Sequence, residues 1–368
     1  MDATEPPGDA PKAIDEPLSG SWAPHSRTGR AEAAPRLGVD GYLKGILARD
    51  RVVLARAITL IESTRPADQI LARDLVNQVV PHAGRSTRIG ITGAPGSGKS
   101  ALIEKFGGML TAQKHRVAVL TVDPSSERSG GSLLGDKTRM TALSADPNAF
   151  IRPSPSGLML GGTARETRET MLLCEAAGYD VVLIETVGVG QSEVTVAEMT
   201  DFLMVLMLAG AGDELQGIKR GLLELADLIA ITKADGSNVV PAQVAAARYG
   251  FAMHVLAEPD GAAAQVVTCS AVTGDGLAAI WTMITDRTAK RKLSGALQTR
   301  RSEQSTDWMW SLVDQQLHDI LHQHPAVDSL AKACAAQVRA GTLSPMLASD
   351  RIITALFAPA LSGAVAAR

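Results

Sequence analysis

The chain has 368 residues, 45% hydrophobic and 20% charged, which excludes a wholly disordered or fibrous protein and leaves room for one large domain with appendages or two modest ones. Lys plus Arg (36) against Asp plus Glu (39) leaves a net charge of −3, so no basic surplus points to nucleic acid or an anionic membrane surface. Cys174, Cys269 and Cys334 lie far apart with no CxxC pair, so their spacing supports neither a disulfide framework nor a zinc site and fits a reducing compartment.

Residues 1–36 hold Pro6, Pro7, Pro11, Pro17, Pro24 and Pro35 among Gly, Ser and Ala, without a periodicity that could bury a face, and read as a disordered tail. Asp2, Glu5, Asp9, Asp15 and Glu16 argue against a transit peptide, so a soluble, cytoplasmic protein is expected. Residues 37–84 form a helical segment: Leu43, Ile46, Leu47, Leu54, Ile58 and Leu60, then Ile70, Leu71, Leu75 and Val79, predict two helices, broken near Pro66 and ended before Pro81. The longest apolar stretch, Phe202 to Gly212, falls well short of the about 20 residues that cross a bilayer, and reads as a buried strand.

From 85 to 290 short apolar runs alternate with helical stretches. Strands are predicted at 88–92, 117–123, 148–152, 180–185, 202–208, 228–231 and 265–269, and helices opening at Ser100, Thr138, Thr163, Glu214, Pro241 and Gly276. Thr163-Ala-Arg-Glu166 has the spacing of a capping box. The alternation implies a doubly wound α/β fold with a mostly parallel sheet. Residues 291–368 read as all helix, with a break at His324-Pro325 and a last helix opening at Ser344-Pro345.

Gly93-Ala94-Pro95-Gly96-Ser97-Gly98-Lys99-Ser100 fits G-x-x-x-x-G-K-[ST] between a predicted strand and a helix continuing at Ala101. Its glycines let backbone N–H groups point inward as an anion nest at a helix N-terminus. Lys99 is placed to reach the β- and γ-phosphates of a nucleotide, and the Ser100 hydroxyl to ligate Mg²⁺. Phosphoryl transfer also needs a carboxylate at a neighbouring strand end and a segment that senses the γ-phosphate. Asp123 and Glu185 both end predicted strands, and Glu185-Thr-Val-Gly188 resembles a DxxG segment whose Gly188 N–H could contact that phosphate. The glycine- and charge-rich run Gly130 to Arg139 is a surface loop or a switch in which Asp136 joins the metal shell. Asp213 caps a helix or belongs to a switch, with equal support.

Thr232-Lys233-Ala-Asp235 follows another strand, and Ser270, Ala271 and Val272 follow the next. A carboxylate at Asp235 accepts two N–H bonds from guanine that adenine cannot donate, the Lys233 stem can cover the base, and the 270–271 backbone can meet its carbonyl. GTP is favoured over ATP on this ground.

Together these residues resemble the MeaB/MMAA family of P-loop GTPases, chaperones of adenosylcobalamin-dependent methylmalonyl-CoA mutase, some of which carry an older transport-ATPase label. The likeness runs from about Leu54 to about Leu321 and is most specific at Val122-Asp-Pro-Ser-Ser, Gly135-Asp-Lys-Thr-Arg-Met140, Ile151-Arg-Pro-Ser-Pro, Ile184 to Glu193 and Gly212 to Lys219. The resemblance implies that Asp123, Asp136 and Glu185 belong to the Mg²⁺ and switch region. It further implies that Asp213, Gln216 and Lys219 form an additional switch toward the mutase, and that the C-terminal helices are a dimerisation arm. Asp123 is then the best candidate to orient the hydrolytic water and Lys219 a candidate cation beside Lys99 and Glu185. Thr232 stands where the family has Asn, an exchange expected to lose a bridge between base and phosphate loop and to weaken GTP by about 1 kcal/mol. Residues 127–129 and 256–265 also depart from the family pattern. The alternatives are a nickel-type metal-insertion GTPase, for which only His318, His322 and His324 cluster, and a transport-linked ATPase or small-molecule kinase, for which no acceptor base is located. Trp281, Trp308 and Trp310 concentrate the scarce aromatics where a protein interface is expected.

Overall fold

A computed structural model of the chain describes residues 36–122, 140–153, 162–186, 192–210, 220–256, 264–323 and 325–365. Gly38–Arg368 form one compact unit. The amino-terminal segment holds three helices, α1 (Val39–Leu47), α2 (Arg51–Ile61) and α3 (Pro66–Val79), where the periodicity predicts two. The extra break falls at Arg49, whose φ of 64° is left-handed, and at Asp50, whose Oδ1 accepts from the Val52 and Val53 N–H groups at 2.8 and 3.1 Å. Asp50 therefore caps α2 and satisfies two of its orphan donors. Pro66 opens α3 at its first position, where its missing N–H costs nothing.

Seven parallel strands follow: β1 (Thr87–Gly93), β2 (Val117–Val122), β3 (Ala149–Arg152), β4 (Val181–Thr186), β5 (Phe202–Leu208), β6 (Leu228–Thr232) and β7 (Gln265–Thr268), in the order β3-β2-β4-β1-β5-β6-β7. Each lies within a residue or two of its predicted span. β2 and β4 are buried at every position, so their apolar runs cannot alternate. β1 pairs with β4 from Thr87↔Val181 to Ile91↔Glu185 and with β5 from Ile89↔Phe202 to Gly93↔Leu206. The chain leaves β1 for β2 and β3 on one side and later crosses to β5 on the other, so the crevice at the carboxyl end of β1 is the topological switch point where ligands collect.

Between the strands run α4 (Lys99–Ala112), α5 (Thr141–Ala145), α6 (Gly162–Ala176), α7 (Ser192–Ala197), α8 (Arg220–Leu225), α9 (Val239–Leu256) and α10 (Leu277–Leu293). One core packs Leu102, Phe106 and Leu110 of α4, Leu143 of α5 and Ile280 and Ile284 of α10 against Ile89, Ile91 and their neighbours in the sheet. α6 begins at Gly162, which puts Thr163 inside its first turn and not at the cap of the expected capping box. The apolar pattern gives no sign of α7, since Val194, Thr195 and Val196 are β-branched and weigh against helix. It packs on the sheet so closely that a Cβ on Gly90 would lie 2.6 Å from Val196 Cγ1.

The carboxyl-terminal helices are α11 (Ala296–Gln323), α12 (Pro325–Arg339) and α13 (Pro345–Val365), with Gly295 at a φ of 78° turning the chain from α10 into α11. Trp281 packs edge-on against Phe106 and His115, and the Arg168 guanidinium lies 5.7 Å from the Trp308 ring centroid. Of the three tryptophans assigned to an interface, Trp310 alone is exposed. Among the described residues no helix is long and apolar enough to cross a membrane.

Replacing Asp50 with Ala removes the α2 cap and is expected to lower unfolding free energy by about 1 kcal/mol in urea titration.

Candidate active site

The phosphate loop grows directly from β1. Gly93, with a φ of 150°, lies so close to β5 that a Cβ there would stand 2.4 Å from the Leu206 carbonyl oxygen, and Gly96 and Gly98 take φ of 80° and 89°. These are conformations that side-chain-bearing residues rarely adopt, and they turn the loop into the first turn of α4. Lys99 Nζ donates to the carbonyls of Gly93 and Ala94 at 2.6 and 3.2 Å, bracing the loop across its own mouth. Burial pushes its ammonium below the ordinary lysine range, while the carboxylates of Glu185 and Glu193 push the other way. A desolvated cation acts strongly on phosphate oxygens, and the two acids nearby oppose that field.

Glu185 ends β4 beside the loop, as its position in the sequence predicts. Its Oε1 accepts from Ser100 Oγ at 3.0 Å, and one residue on the Thr186 hydroxyl donates to Thr92 Oγ1 at 2.9 Å inside the sheet. A hydroxyl and a carboxylate oxygen in contact beside the loop are hard oxygen donors of the kind Mg²⁺ prefers, so the described residues fit that ion. Asp123, Asp136, Gly188, Asp213, Gln216 and Lys219 lie outside the described residues, as does the run Gly130 to Arg139. Among the described residues no group of three or more His, Cys, Asp or Glu side chains could hold a metal.

The base-binding motif comes together across β6 and β7. Ser270 Oγ donates to Asp235 Oδ2 at 2.5 Å and accepts from the Val272 and Thr273 N–H groups at 3.1 and 3.2 Å. The Ala234 N–H bonds Cys269 O at 3.0 Å, closing the two loops on each other. The sequence pattern gives Ser270 only a backbone role; its side chain also aims the carboxylate of Asp235. Lys233 sits at a φ of 57°, unusual for a residue with a side chain, and its stem reaches toward Gly98 of the phosphate loop.

Thr232 keeps a link to the phosphate loop. Its hydroxyl donates to Ser97 O at 2.6 Å, with Met207 O at 3.2 Å, so the bridge from base strand to phosphate loop is present without an amide. The reach is possible because Thr232 is buried at the end of β6 and the loop folds back over that strand. Sequence spacing carries no sign of that.

A small cleft opens at the carboxyl ends of β2 and β3, lined among others by Glu62, Thr121, Arg152, Glu166 and Thr170. No motif marked it. Arg152 forms a two-point ion pair with Glu62, Nε to Oε1 at 2.9 Å. The Glu166 carboxyl is pushed up to about 7 by burial first, and then by the charges of Glu62 and Glu169, with Arg165 opposing.

Comparison with known proteins agrees with this geometry. The sequence model of the family described as "Methylmalonyl Co-A mutase-associated GTPase MeaB" matches residues 54–326. A protein of Caulobacter vibrioides named "Putative GTPase" is 52% identical over 87% of this chain and 98% of its own. The mouse protein named "Methylmalonic aciduria type A homolog, mitochondrial" is 44% identical over 86% of this chain and 79% of its own. A crystal structure of "LAO/AO transport system kinase" superposes with a TM-score of 0.69 at 38% identity, covering 85% of this chain and 96% of that one.

Two outcomes check the site. Thr232→Val deletes the bond to Ser97 O and is expected to weaken nucleotide binding about tenfold by fluorescence titration, the cost of leaving a buried acceptor unpaired. Glu166 keeps its proton in the folded chain between its ordinary pKa of 4.5 and about 7, so stability falls as pH rises through that window. Glu166→Gln is therefore expected to match wild type near pH 5 and to gain about 1–2 kcal/mol at pH 8 in urea titration, solvent screening included.

Proposed function

The chain belongs to the MeaB family of methylmalonyl-CoA mutase-associated GTPases and is itself a P-loop GTPase; on that premise we propose that it uses GTP to gate adenosylcobalamin loading, protection and reactivation of methylmalonyl-CoA mutase or a related cobalamin mutase. The observation that carries this function is the union of an intact phosphate loop, the Ser100–Glu185 contact and the Ser270-braced Asp235 in a chain matched by the family over residues 54–326.

In this mechanism the loop N–H groups of residues 93–100 and Lys99 cradle the phosphates, and Asp235 accepts the two guanine N–H bonds while Lys233 covers the base. Ser100 and Glu185, with Asp123 and Asp136, would hold Mg²⁺, which when bound neutralises charge on the β- and γ-phosphates. Water attacks the γ-phosphorus in line, the bond to the β-bridging oxygen breaks, and phosphate and GDP leave. Lys99 and the loop dipoles stabilise the charge that develops, the largest contribution to the rate. Asp123 orients the water, Gly188 senses the γ-phosphate, and Lys219 supplies a further cation in the switch that faces the mutase.

The working organisation is a tail at 1–36, a helical preface at 37–84, the nucleotide domain at 85–290 and an arm at 291–368 through which two copies pair in the cytoplasm. Support for pairing comes from apolar side chains left exposed on these helices, among them Trp310, Leu317, Ile320, Met346, Leu347 and Phe357.

With γ-labelled GTP, label is expected in free phosphate and not on an amino acid or peptide, and Lys99→Ala is expected to lower the rate by at least about a hundredfold. With apo-mutase and adenosylcobalamin, formation of active holoenzyme is expected to depend on GTP for wild type and not for Lys99→Ala; a nucleotide-independent yield overturns the gating function.

A further inference from the structure

α7 links the nucleotide site to the carboxyl-terminal helices. At its amino end Glu193 is buried and close enough to Lys99 to act on its charge. In its middle Val196 presses on Gly90 of β1, where no Cβ fits, and its carbonyl accepts from the Thr200 hydroxyl at 2.8 Å. Its carboxyl end presents the carbonyls that a helix leaves without intrahelical partners. Arg300 of α11 donates to Ala197 O and Thr200 O, both at 3.2 Å, and Gln304, one turn further along α11, donates to Thr200 O at 2.9 Å. From α6, Arg168 reaches Glu198 O at 3.4 Å and Gln304 O at 3.1 Å, tying all three helices.

The neighbouring residue on α11 holds a different object. Arg301 grips the base of the sheet, with Nε and Nη2 on the Asp201 carboxylate at 2.8 and 2.6 Å and further bonds to Gly84 O and Ser86 O. One turn of α11 is thus referenced to the rigid sheet through Arg301 and to α7 through Arg300 and Gln304. Val196 packs on Gly90 with no room for a side chain between them, so a shift of α7 would be passed on to its carboxyl end.

We propose that Arg300 and Gln304 are positioning residues that couple the nucleotide site to the carboxyl-terminal helices, so that the nucleotide held at the phosphate loop and the setting of α11 each bias the other. The coupling rests on the GTPase assignment and extends it, since it names the physical link by which nucleotide state reaches the region assigned to pairing. Thermodynamic reciprocity makes it measurable from either end.

The test uses the full-length protein and fluorescent GDP and a non-hydrolysable GTP analogue. Arg300→Met combined with Gln304→Met removes the donors and keeps side-chain bulk; the ratio of the two nucleotide affinities is expected to change by at least about fivefold. Asp50→Ala, which removes the cap of α2 and touches none of the residues of the link, is expected to lower Tm with the ratio unchanged. A double variant that binds both nucleotides with the wild-type ratio overturns the coupling, even if its Tm falls, because a structural role alone lowers Tm. If the double variant does not fold, hydrogen exchange on wild type decides: residues 192–200 and 296–310 are expected to change protection together between the GDP and analogue states, and an unchanged 296–310 overturns the proposal. Wild type that binds neither nucleotide sinks the GTPase assignment itself, and the coupling with it.

Discussion

The carboxylate of Asp201 is almost wholly buried at the amino-terminal edge of the sheet, and much of the architecture exists to satisfy it. It accepts from the Arg88 N–H of β1 at 2.9 Å and from Arg301 of α11, while its own carbonyl accepts from Arg291 of α10 at 2.5 Å. Asp227, before β6, takes Arg287 and Arg291 and the Leu203 N–H, and Glu175 of α6 takes Arg88, the Ser86 hydroxyl and the Gly84 N–H. Three buried acids would each cost several kcal/mol to desolvate without these donors. Their worth is one of position more than of net stability: breaking such a set by removing one partner costs about 3–5 kcal/mol, whereas an apolar replacement of the whole can be neutral. The set fixes α10 and α11 to the strands they cross.

That edge being occupied by fixed charge pairs, chemistry falls to the opposite one. At the carboxyl ends of β4 and β6 the carboxylates meet hydroxyls, Ser100 on Glu185 and Ser270 on Asp235. A hydroxyl orients an acid without cancelling its charge as an arginine would. The same residue types therefore do structural work at one end of the sheet and remain available to ligand at the other. The segment from α7 to Thr200 runs from one end toward the other, with Glu193 near Lys99 and the Ala197 and Thr200 carbonyls on Arg300.

The strands were legible because a short, continuous apolar run bounded by turn residues suits a strand buried on both faces and little else. The phosphate loop was legible because positive-φ glycines between a strand and a helix make a pattern with a mechanism. Helices were less so where their signal is brief. α7 has six residues, too few for a period, and the break between α1 and α2 is marked by a single Asp50 at a position where the apolar spacing continues. Asp235 was recognisable from its motif, but the hydroxyl of Ser270 that aims it lies 35 positions away, and the bond from Thr232 to Ser97 spans 135. Side-chain partners at such separations are invisible to spacing.

By itself the sequence determined the order of strands and helices along the chain, the phosphate loop and the base motif, since each depends on residues adjacent in the chain and on local backbone freedom. Only the tertiary structure decided the strand order across the sheet, the pairing of Arg287, Arg291 and Arg301 with Asp201 and Asp227, the elevated proton affinity of Glu166 in its cleft, and the bond that ties Thr232 to the phosphate loop. The physical reason is common to all four: burial and electrostatic partnership are properties of the space around a residue, and that space is furnished by segments far away in the chain.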